Sequence, residues 1–390
     1  MNQRTFVMRL ATVAKKLGRA VRNVWLLAGI TLFLFIGMEL AYRVQRQIRA
    51  ARWARSGTGA PHPHANEPWY GQSGGPREGG TVGFDPYRVY WGRWRRSQYL
   101  NVDSLGRRTT PQSPRGERGR QLFLLGGSVM WGWAHIDSLT IGAFLARRLN
   151  EANLADVEIQ NYAQSGYTLT QELITLMLEI RRGNVPDAVI FFHGGNDVGN
   201  AFAIGRAGAS PNEALSAEAY RLGRRRFQEE LIELPRHSRL IRALRSALGR
   251  DGSRTNQPAT LELCDDIGAY YRQQVRMAQA IGRAFDIDML FFFQPLLATS
   301  RKPLTKWEAS HQAFDGYRAM QRRCAAVVDS LMALESTVPY EPLHDMFDRD
   351  TVDAFLDGFG HLTVYGNDRV SERLADAIIP RLRARPQPRN

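Results

Sequence analysis

The sequence is poor in cysteine: its 390 residues include only two, Cys264 and Cys324. Two thiols are too few for a disulfide-dense scaffold or for a zinc site with four Cys ligands. Both Cys lie in segments with helical patterns, on either side of an apolar run. A disulfide between them is possible if the domain is exported, because disulfides persist in oxidising compartments.

The middle of the chain lacks net charge, although the whole sequence carries +14. Residues 1–56 hold eleven Lys or Arg and one acid, and residues 381–390 hold four Arg and no acid. Residues 57–380 hold equal numbers of basic and acidic side chains. Nucleic-acid-binding domains carry a basic face on the folded body, so we exclude a nucleic-acid partner. The apolar fraction of 44% also excludes a mostly disordered chain.

One long run of the sequence is free of charge: it covers residues 24–38 and, after Glu39, continues to residue 42. A helix needs about 20 residues to cross a bilayer. We predict a single membrane anchor over residues 24–42, with a cleaved signal peptide and a buried core helix as the alternatives. The Lys and Arg residues before the run predict a cytoplasmic N-terminus and a main domain on the far, extracytoplasmic side.

Composition divides the chain into six segments. They are a basic N-terminal segment, the anchor, a basic collar with a flexible Gly- and Pro-rich linker, a preface, a main domain and a basic tail, at residues 1–23, 24–42, 43–83, 84–118, 119–382 and 383–390. Within the main domain, residues 198–260 are rich in Arg, Ala and Glu and are predicted to form a helical insertion. His62 and His64 of the linker lack a third ligand, so we predict no metal site there.

The main domain alternates short apolar runs with helical patterns. The runs lie at residues 122–125, 188–192 and 289–293, and in a further segment Val157 and Ile159 alternate with Glu158 and Gln160. These segments are typical of buried strands in a parallel sheet. Thr168 and Gln171 have the spacing of a capping box before one of the helices. The alternation predicts an α/β fold, a three-layer α/β/α sandwich around a mostly parallel sheet.

Residues suited to ester chemistry follow the predicted strands, where the strands end, or lie late in the chain. They are Ser128 after Gly126-Gly127, Gly166 after Ser165, Asn196 after Gly194-Gly195, and His361 late in the chain. Open parallel sheets bind ligands at the carboxyl ends of their strands. A hydroxyl, a glycine backbone, an amide and an imidazole are the groups that acyl-ester hydrolysis needs.

We predict structural roles for four other residues of the main domain. We predict that Trp131 and Trp133 pack against the insertion, with stacking on a sugar ring as the alternative. Asp137 precedes an apolar helix and is predicted to cap it. His193 is predicted to be structural. No GxSxG elbow surrounds the serine, since Met occupies the last Gly position, which disfavours an α/β-hydrolase fold.

The segments LFLLGGSVMWG, NYAQSGYT, FFHGGND and FLDGFGHLTVYGN resemble the four blocks of the SGNH (GDSL-type) hydrolase superfamily. The resemblance covers about residues 120–382 and implies a flavodoxin-like sandwich. The preface segment LNVDSLGRR, which follows an anchor ending in GMELAYR, resembles membrane-anchored bacterial members.

The resemblance implies a role for each block residue. Ser128 is the nucleophile, and His361 is the base that activates it and the acid that protonates the leaving alcohol. The backbone N–H groups of Ser128 and Gly166 and the side-chain amide of Asn196 form the oxyanion hole. The resemblance implies neither a metal nor a cofactor.

The acid of the triad departs from the family pattern. The family places it three residues before the His, whereas here Gly358 holds that position and Asp357 lies four residues before His361. Asp357 can still orient the imidazole if the loop between them bulges. The alternatives are Asp353, a backbone carbonyl or a water molecule.

These observations predict a membrane-anchored serine esterase that forms an acyl-serine intermediate. Its substrate would be an acyl ester, in particular an O-acetyl group on a glycan of the cell envelope. The alternatives are an O-acyltransferase of envelope polysaccharide, a lipid esterase, and a non-catalytic binding protein with the same fold.

Overall fold

The computed structural model describes residues 62–70, 82–114, 119–210 and 261–385, together with Glu213 and separate helical positions between residues 19 and 44. Those separate positions belong to one compact unit, and the four ranges belong to another, which contains all the strands. Within the described residues, no helix has both the length and the apolar character that crossing a membrane requires.

Several predicted segments fall partly or wholly outside the described residues. They are the basic N-terminal segment, the anchor at 24–42, the basic collar, most of the insertion at 198–260 and the last five residues of the basic tail.

The strands form one hairpin and one central sheet. They are β1 (Val82–Asp85), β2 (Val89–Gly92), β3 (Arg120–Gly126), β4 (Val157–Asn161), β5 (Ala188–His193), β6 (Asp288–Phe293) and β7 (Tyr340–Pro342). The hairpin pairs β1 with β2 antiparallel. In the central sheet the order is β4-β3-β5-β6-β7, and every pairing is parallel. The sheet therefore has the order 2-1-3-4-5 in chain sequence, which is the doubly wound order of flavodoxin-like folds.

Helices cover both faces of the central sheet. They are α1 (Ser128–Trp131), α2 (Ile141–Glu151), α3 (Leu169–Arg181), α4 (Gly195–Ile204), α5 (Leu261–Phe285), α6 (Lys306–Ser310), α7 (Asp315–Met332) and α8 (Val364–Ala384). Side chains of β3 alternate between two apolar cores: Leu122 and Leu124 face α2 and α8, whereas Phe123 and Leu125 face α3, α5 and α7. The predicted three-layer α/β/α arrangement is confirmed.

Of the two predicted helix caps, one is confirmed and the other is wrong. The Thr168 N–H donates to Gln171 Oε1 at 3.2 Å, so the predicted capping box begins α3. Asp137, however, does not cap α2. The N-cap is Thr140, whose hydroxyl accepts from the Ala143 N–H at 3.2 Å. Asp137 instead pairs with Arg108, because a buried guanidinium needs a counter-charge more than a helix end needs this carboxylate.

The preface is part of the folded domain. Its Arg108 is 2% exposed, and its guanidinium Nε lies 3.0 Å from Asp137 Oδ1. Arg108 Nη1 and Nη2 donate to the carbonyls of Gly132 and His135 at 2.7 and 2.6 Å. Both carbonyls lie in the loop that follows α1. The preface therefore supplies a buried charge that holds this loop.

Residues 62–70, in the middle of the predicted flexible linker, also differ from expectation. The ring of His64 is 2% exposed and packs edge-to-face against His135, with ring centroids 4.9 Å apart. The ring of His62 packs against Trp307 at 4.9 Å. This segment folds onto the domain because its aromatic side chains bury apolar surface that glycine and proline lack.

Cys264 of α5 and Cys324 of α7 form a disulfide. Both residues are buried in the core between these helices. This bond, which the sequence left open, thus joins two of the helices that cover one face of the sheet.

Candidate active site

The carboxyl edge of the central sheet brings the block residues together. Ser128 begins α1 directly after β3, and Asn196 lies in the first turn of α4 directly after β5. Gly166 lies in the loop after β4, which is joined to the end of β3 by the Gln164 N–H donating to the Gly126 carbonyl at 3.1 Å. His361 lies in the loop before α8. All four groups therefore meet at the edge where parallel sheets bind ligands.

The serine, the histidine and the aspartate form a continuous hydrogen-bonded chain. Ser128 Oγ lies 2.9 Å from His361 Nε2. His361 Nδ1 lies 2.7 Å from Asp357 Oδ2. With Nδ1 protonated, the imidazole donates to the carboxylate and accepts the serine proton at Nε2. The His361 and Asp357 side chains are 18% and 24% exposed, so these hydrogen-bonded groups are accessible to solvent.

The loop between Asp357 and His361 accommodates the unusual four-residue spacing. Asp357 Oδ1 accepts from the backbone N–H of Phe359 at 2.9 Å and of His361 at 3.3 Å. Gly360 has φ +98°, a conformation that side chains other than hydrogen rarely allow. The extra residue is taken up by this turn, and Asp357 rather than Asp353 reaches the imidazole. Asp353 accepts a hydrogen bond from Thr305 instead.

The amide of Asn196 lies beside the backbone of the serine loop. A Cβ on Gly127 would be 2.2 Å from Asn196 Nδ2, so a side chain at that position would displace the amide. The same Nδ2 donates to the carbonyl of Tyr167 at 2.9 Å. A primary amide has two N–H donors, so a second remains for a ligand. Gly166, next to Tyr167, has φ +85°, which again favours glycine.

Trp131 and Trp133 have separate roles in the packing around Ser128. Trp131 is buried, and the Arg108 guanidinium lies 4.5 Å from its ring. Trp133 lies against the imidazole of His361, with ring centroids 4.3 Å apart. Trp131 is therefore a core residue, and Trp133 packs beside the imidazole of His361.

Two buried side chains fix the backbone on either side of the Asp357–His361 loop. The His135 Nε2 and the Leu362 carbonyl lie 2.8 Å apart, just after the loop. Before it, Glu308 Oε1 accepts from the N–H groups of Ala354 and Phe355 at 3.0 and 3.2 Å. Burial lowers the pKa of His135 to about 3, which keeps its ring neutral. The position of His361 is therefore set by groups from other parts of the fold.

His193, predicted to be structural, lies in a buried polar cluster behind Asn196. Its Nδ1 is 3.0 Å from Glu172 Oε2, and its Nε2 is 2.6 Å from the Tyr271 hydroxyl. Burial lowers the pKa of His193 to about 4 and raises that of Glu172 well above its usual value. Both shifts favour the uncharged forms, so the contact is a hydrogen bond between neutral groups rather than an ion pair.

Sequence reasoning did not identify several residues at this edge. Arg108, Tyr90 and Gln294 carried no motif, although the Arg pair in LNVDSLGRR was part of the preface resemblance. Tyr90 donates to the Ser165 carbonyl, next to Gly166. Among the described residues, no cluster of three or more His, Cys, Asp or Glu could hold a metal ion.

Residues 122–374 match the family of GDSL-like lipases/acylhydrolases. The chain belongs to this family. Membership confirms the resemblance to the SGNH superfamily and makes the protein an ester hydrolase. The matched range begins in β3 and ends in α8, and it contains all four blocks.

Solved structures of family esterases resemble this chain at low identity. The lipase/acylhydrolase of Enterococcus faecalis is 15% identical, with 67% of this chain and 96% of that one covered and a TM-score of 0.39. A catalytic mutant of an acetylxylan esterase from Geobacillus stearothermophilus is 14% identical, with 70% and 99% covered and a TM-score of 0.38. No curated protein matches the sequence significantly.

Proposed function

We propose that this ester hydrolase works through an acyl-serine intermediate on Ser128. The observation that carries the proposal is the hydrogen-bonded chain from Ser128 Oγ through His361 to Asp357, with distances of 2.9 and 2.7 Å. A serine hydroxyl is a weak nucleophile until a neighbouring base takes its proton, and a third group keeps that base in the required tautomer.

The first half of the reaction forms the acyl-enzyme. Ser128 Oγ attacks the ester carbonyl carbon while its proton passes to His361 Nε2. The carbonyl oxygen becomes an oxyanion, which the N–H groups of Ser128 and Gly166 and the amide of Asn196 stabilise. One such donor contributes about 3–4 kcal/mol. The intermediate collapses when the ester C–O bond breaks and His361 gives its proton to the leaving alcohol.

The second half returns the free serine. A water molecule gives a proton to His361 Nε2 and attacks the acyl carbon. Collapse of the new tetrahedral intermediate breaks the bond to Ser128 Oγ, which takes back the proton, and the carboxylic acid leaves. A sugar hydroxyl in place of water would make the same site an O-acyltransferase, since the acyl group then moves to that hydroxyl.

Hydrolysis of 4-nitrophenyl acetate by the purified full chain in detergent tests the nucleophile. We expect Ser128→Ala to abolish burst release of nitrophenol and to lower kcat by several orders of magnitude. Ser330→Ala, on the exposed side of α7, is the matched control and should retain full activity. Equal activity of Ser128→Ala and the wild type would exclude an acyl-Ser128 intermediate.

We also propose that residues 24–42 anchor the enzyme in a membrane, with its catalytic domain on the extracytoplasmic side. The uncharged run and the basic segment before it support this topology. The Cys264–Cys324 disulfide adds support, because disulfides persist outside the reducing cytosol. A reporter active only after export, fused after residue 390, tests it, and a reporter active only in the cytoplasm should give no signal.

The proposed substrate is an O-acetyl ester on a glycan of the cell envelope. An extracytoplasmic anchor would hold the site next to such polymers. Comparison of acetyl with dodecanoyl esters of one alcohol tests the acyl part. A preference for the acetyl ester supports the proposal, whereas a preference for the long chain would favour a lipid esterase.

A further inference from the structure

The side chain of Gln294 lies between the first turn of α4, which carries Asn196, and the loop that carries His361. Gln294 follows β6 directly, at the carboxyl edge of the sheet. A Cβ on Gly195 would lie 2.6 Å from Gln294 Nε2, and a Cβ on Gly360 would lie 2.9 Å from the same atom. Each of these glycines directly precedes a residue of the proposed machinery. Their missing side chains leave the space that the amide occupies.

This amide has no hydrogen-bond partner among the described residues, although Gln294 is only 3% exposed. An amide carries two donors and two acceptor positions. An amide with no protein partner on a side chain this little exposed calls for an explanation. The amide is not fully buried: partnerless amide atoms with no accessible surface occur on Gln274 and Gln321 but not on Gln294, so the Gln294 amide keeps some accessible surface.

We propose that Gln294 is a specificity-determining residue that binds a hydroxyl group on the alcohol part of the substrate. The inference rests on the proposed function, because it takes the ester to lie between Asn196 and His361. A hydroxyl both donates and accepts, and a neutral amide satisfies both demands from one side chain. The leaving alcohol lies next to His361 Nε2, which protonates it. The substrate class is therefore an ester of a polyhydroxylated alcohol, such as a partly acetylated sugar, rather than an ester of a plain alkanol.

Hydrolysis of two acetate esters distinguishes hydroxyl binding by Gln294 from a general role of Gln294 in the fold. 4-Nitrophenyl acetate has no hydroxyl on its alcohol part, whereas a mono-O-acetylated methyl xyloside has free hydroxyls. We expect Gln294→Met, which keeps the length and removes the polar atoms, to lower kcat/KM about tenfold for the xyloside ester. It should leave kcat/KM for the aryl ester within about twofold. Gln274→Met, another buried glutamine on α5, is the control and should not change the ratio of the two values.

The outcomes distinguish the proposal from its alternatives. Equal losses on both esters would show that Gln294 supports the loops only, and no loss on either would show that it binds nothing. A binding measurement tests the contact between Gln294 and the substrate independently of catalysis. In the Ser128→Ala background, calorimetry should find that Gln294→Met weakens binding of the xyloside ester about tenfold. If aryl acetate hydrolysis does not depend on Ser128, the proposed function fails, and this binding contrast still decides the role of Gln294.

Discussion

The Asp357 carboxylate reaches His361 although the two residues are four positions apart, with Oδ2 2.7 Å from the imidazole Nδ1. The other carboxylate oxygen accepts from backbone N–H groups of the same loop, at Phe359 and His361. The side chain that orients the histidine therefore also shapes the turn that brings it within reach.

We expect Asp357→Asn to lower kcat by about 10³-fold or more, since an amide donor at this position favours the wrong imidazole tautomer. The change keeps the size of the side chain, so KM should change much less. Ester hydrolysis under saturating and limiting substrate separates the two constants.

Asp353→Asn is the control for that variant, since Asp353 is the other carboxylate the sequence offers and it bonds to Thr305. Its kcat should stay close to that of the wild type. A larger loss in Asp353→Asn than in Asp357→Asn would reverse the assignment of the acid.

Removal of the Arg108 guanidinium should destabilise the protein strongly. The side chains of Arg108 and Asp137 are 0% and 9% exposed, so Arg108→Ala leaves a buried carboxylate without its counter-charge. Breaking a buried pair in this way costs about 3–5 kcal/mol of unfolding free energy. The loop after Ser128 also loses the donors to Gly132 and His135, so kcat should fall as well. Guanidinium chloride unfolding measures the first effect and ester hydrolysis the second.

The neighbouring Arg107 provides a matched comparison. It pairs with Asp103 at 2.8 Å, but the two side chains are 19% and 34% exposed. Arg107→Ala should therefore cost no more than about 1 kcal/mol. Similar losses for the two alanine variants would mean that Arg108 does not hold a buried charge.

The parts of the site that local sequence encodes were predictable. Ser128, Gly166 and Asn196 each follow a strand, and the carboxyl edge of a parallel sheet gathers such positions whatever else the chain does. The sequence also predicted four strands of the parallel sheet, β3 to β6, because their apolar residues run continuously or, in β4, alternate with polar ones.

The contacts that depend on distant chain segments were not predictable. Whether Asp357 reaches His361 depends on the φ of Gly360, which the spacing alone leaves open. Arg108 and Asp137 are 29 positions apart, and nothing in the charge pattern distinguishes Arg108 from the partly exposed Arg107 beside it. His64 lies in a segment with the composition of a linker, and only its burial against His135 shows that the segment folds.

Loss of the Cys264–Cys324 bond should lower stability. The two residues are 60 positions apart, and the chain-entropy estimate for a loop of that length is about 4 kcal/mol. A double Cys→Ala variant should unfold at lower guanidinium chloride concentration than the wild type. Dithiothreitol should destabilise the wild type and leave the variant unchanged. A variant as stable as the oxidised wild type would show that the disulfide adds nothing.

His64 should make the stability of the protein depend on pH. Burial, and then the nearby His62, lower the pKa of His64 from 6.5 to about 4. The unfolded chain therefore binds a proton that the folded chain does not between these pH values. Stability from this group is fully present above pH 6.5 and is lost as pH falls towards 4. Each pKa unit corresponds to about 1.4 kcal/mol, so the loss approaches roughly 3 kcal/mol.

We expect His64→Phe to remove this dependence, since phenylalanine keeps an aromatic ring beside Trp69 and His135 and has nothing to protonate. Both ring nitrogens of His64 are buried without a partner, so the variant should match or exceed the wild-type stability even at pH 8. Its advantage should grow as the pH is lowered through 6 to 4.5, because only the wild type then loses stability at this position. Guanidinium chloride unfolding of both proteins at the three pH values measures the difference. A constant difference, or one that shrinks at low pH, would show that His64 titrates in the folded protein as it does in the unfolded chain.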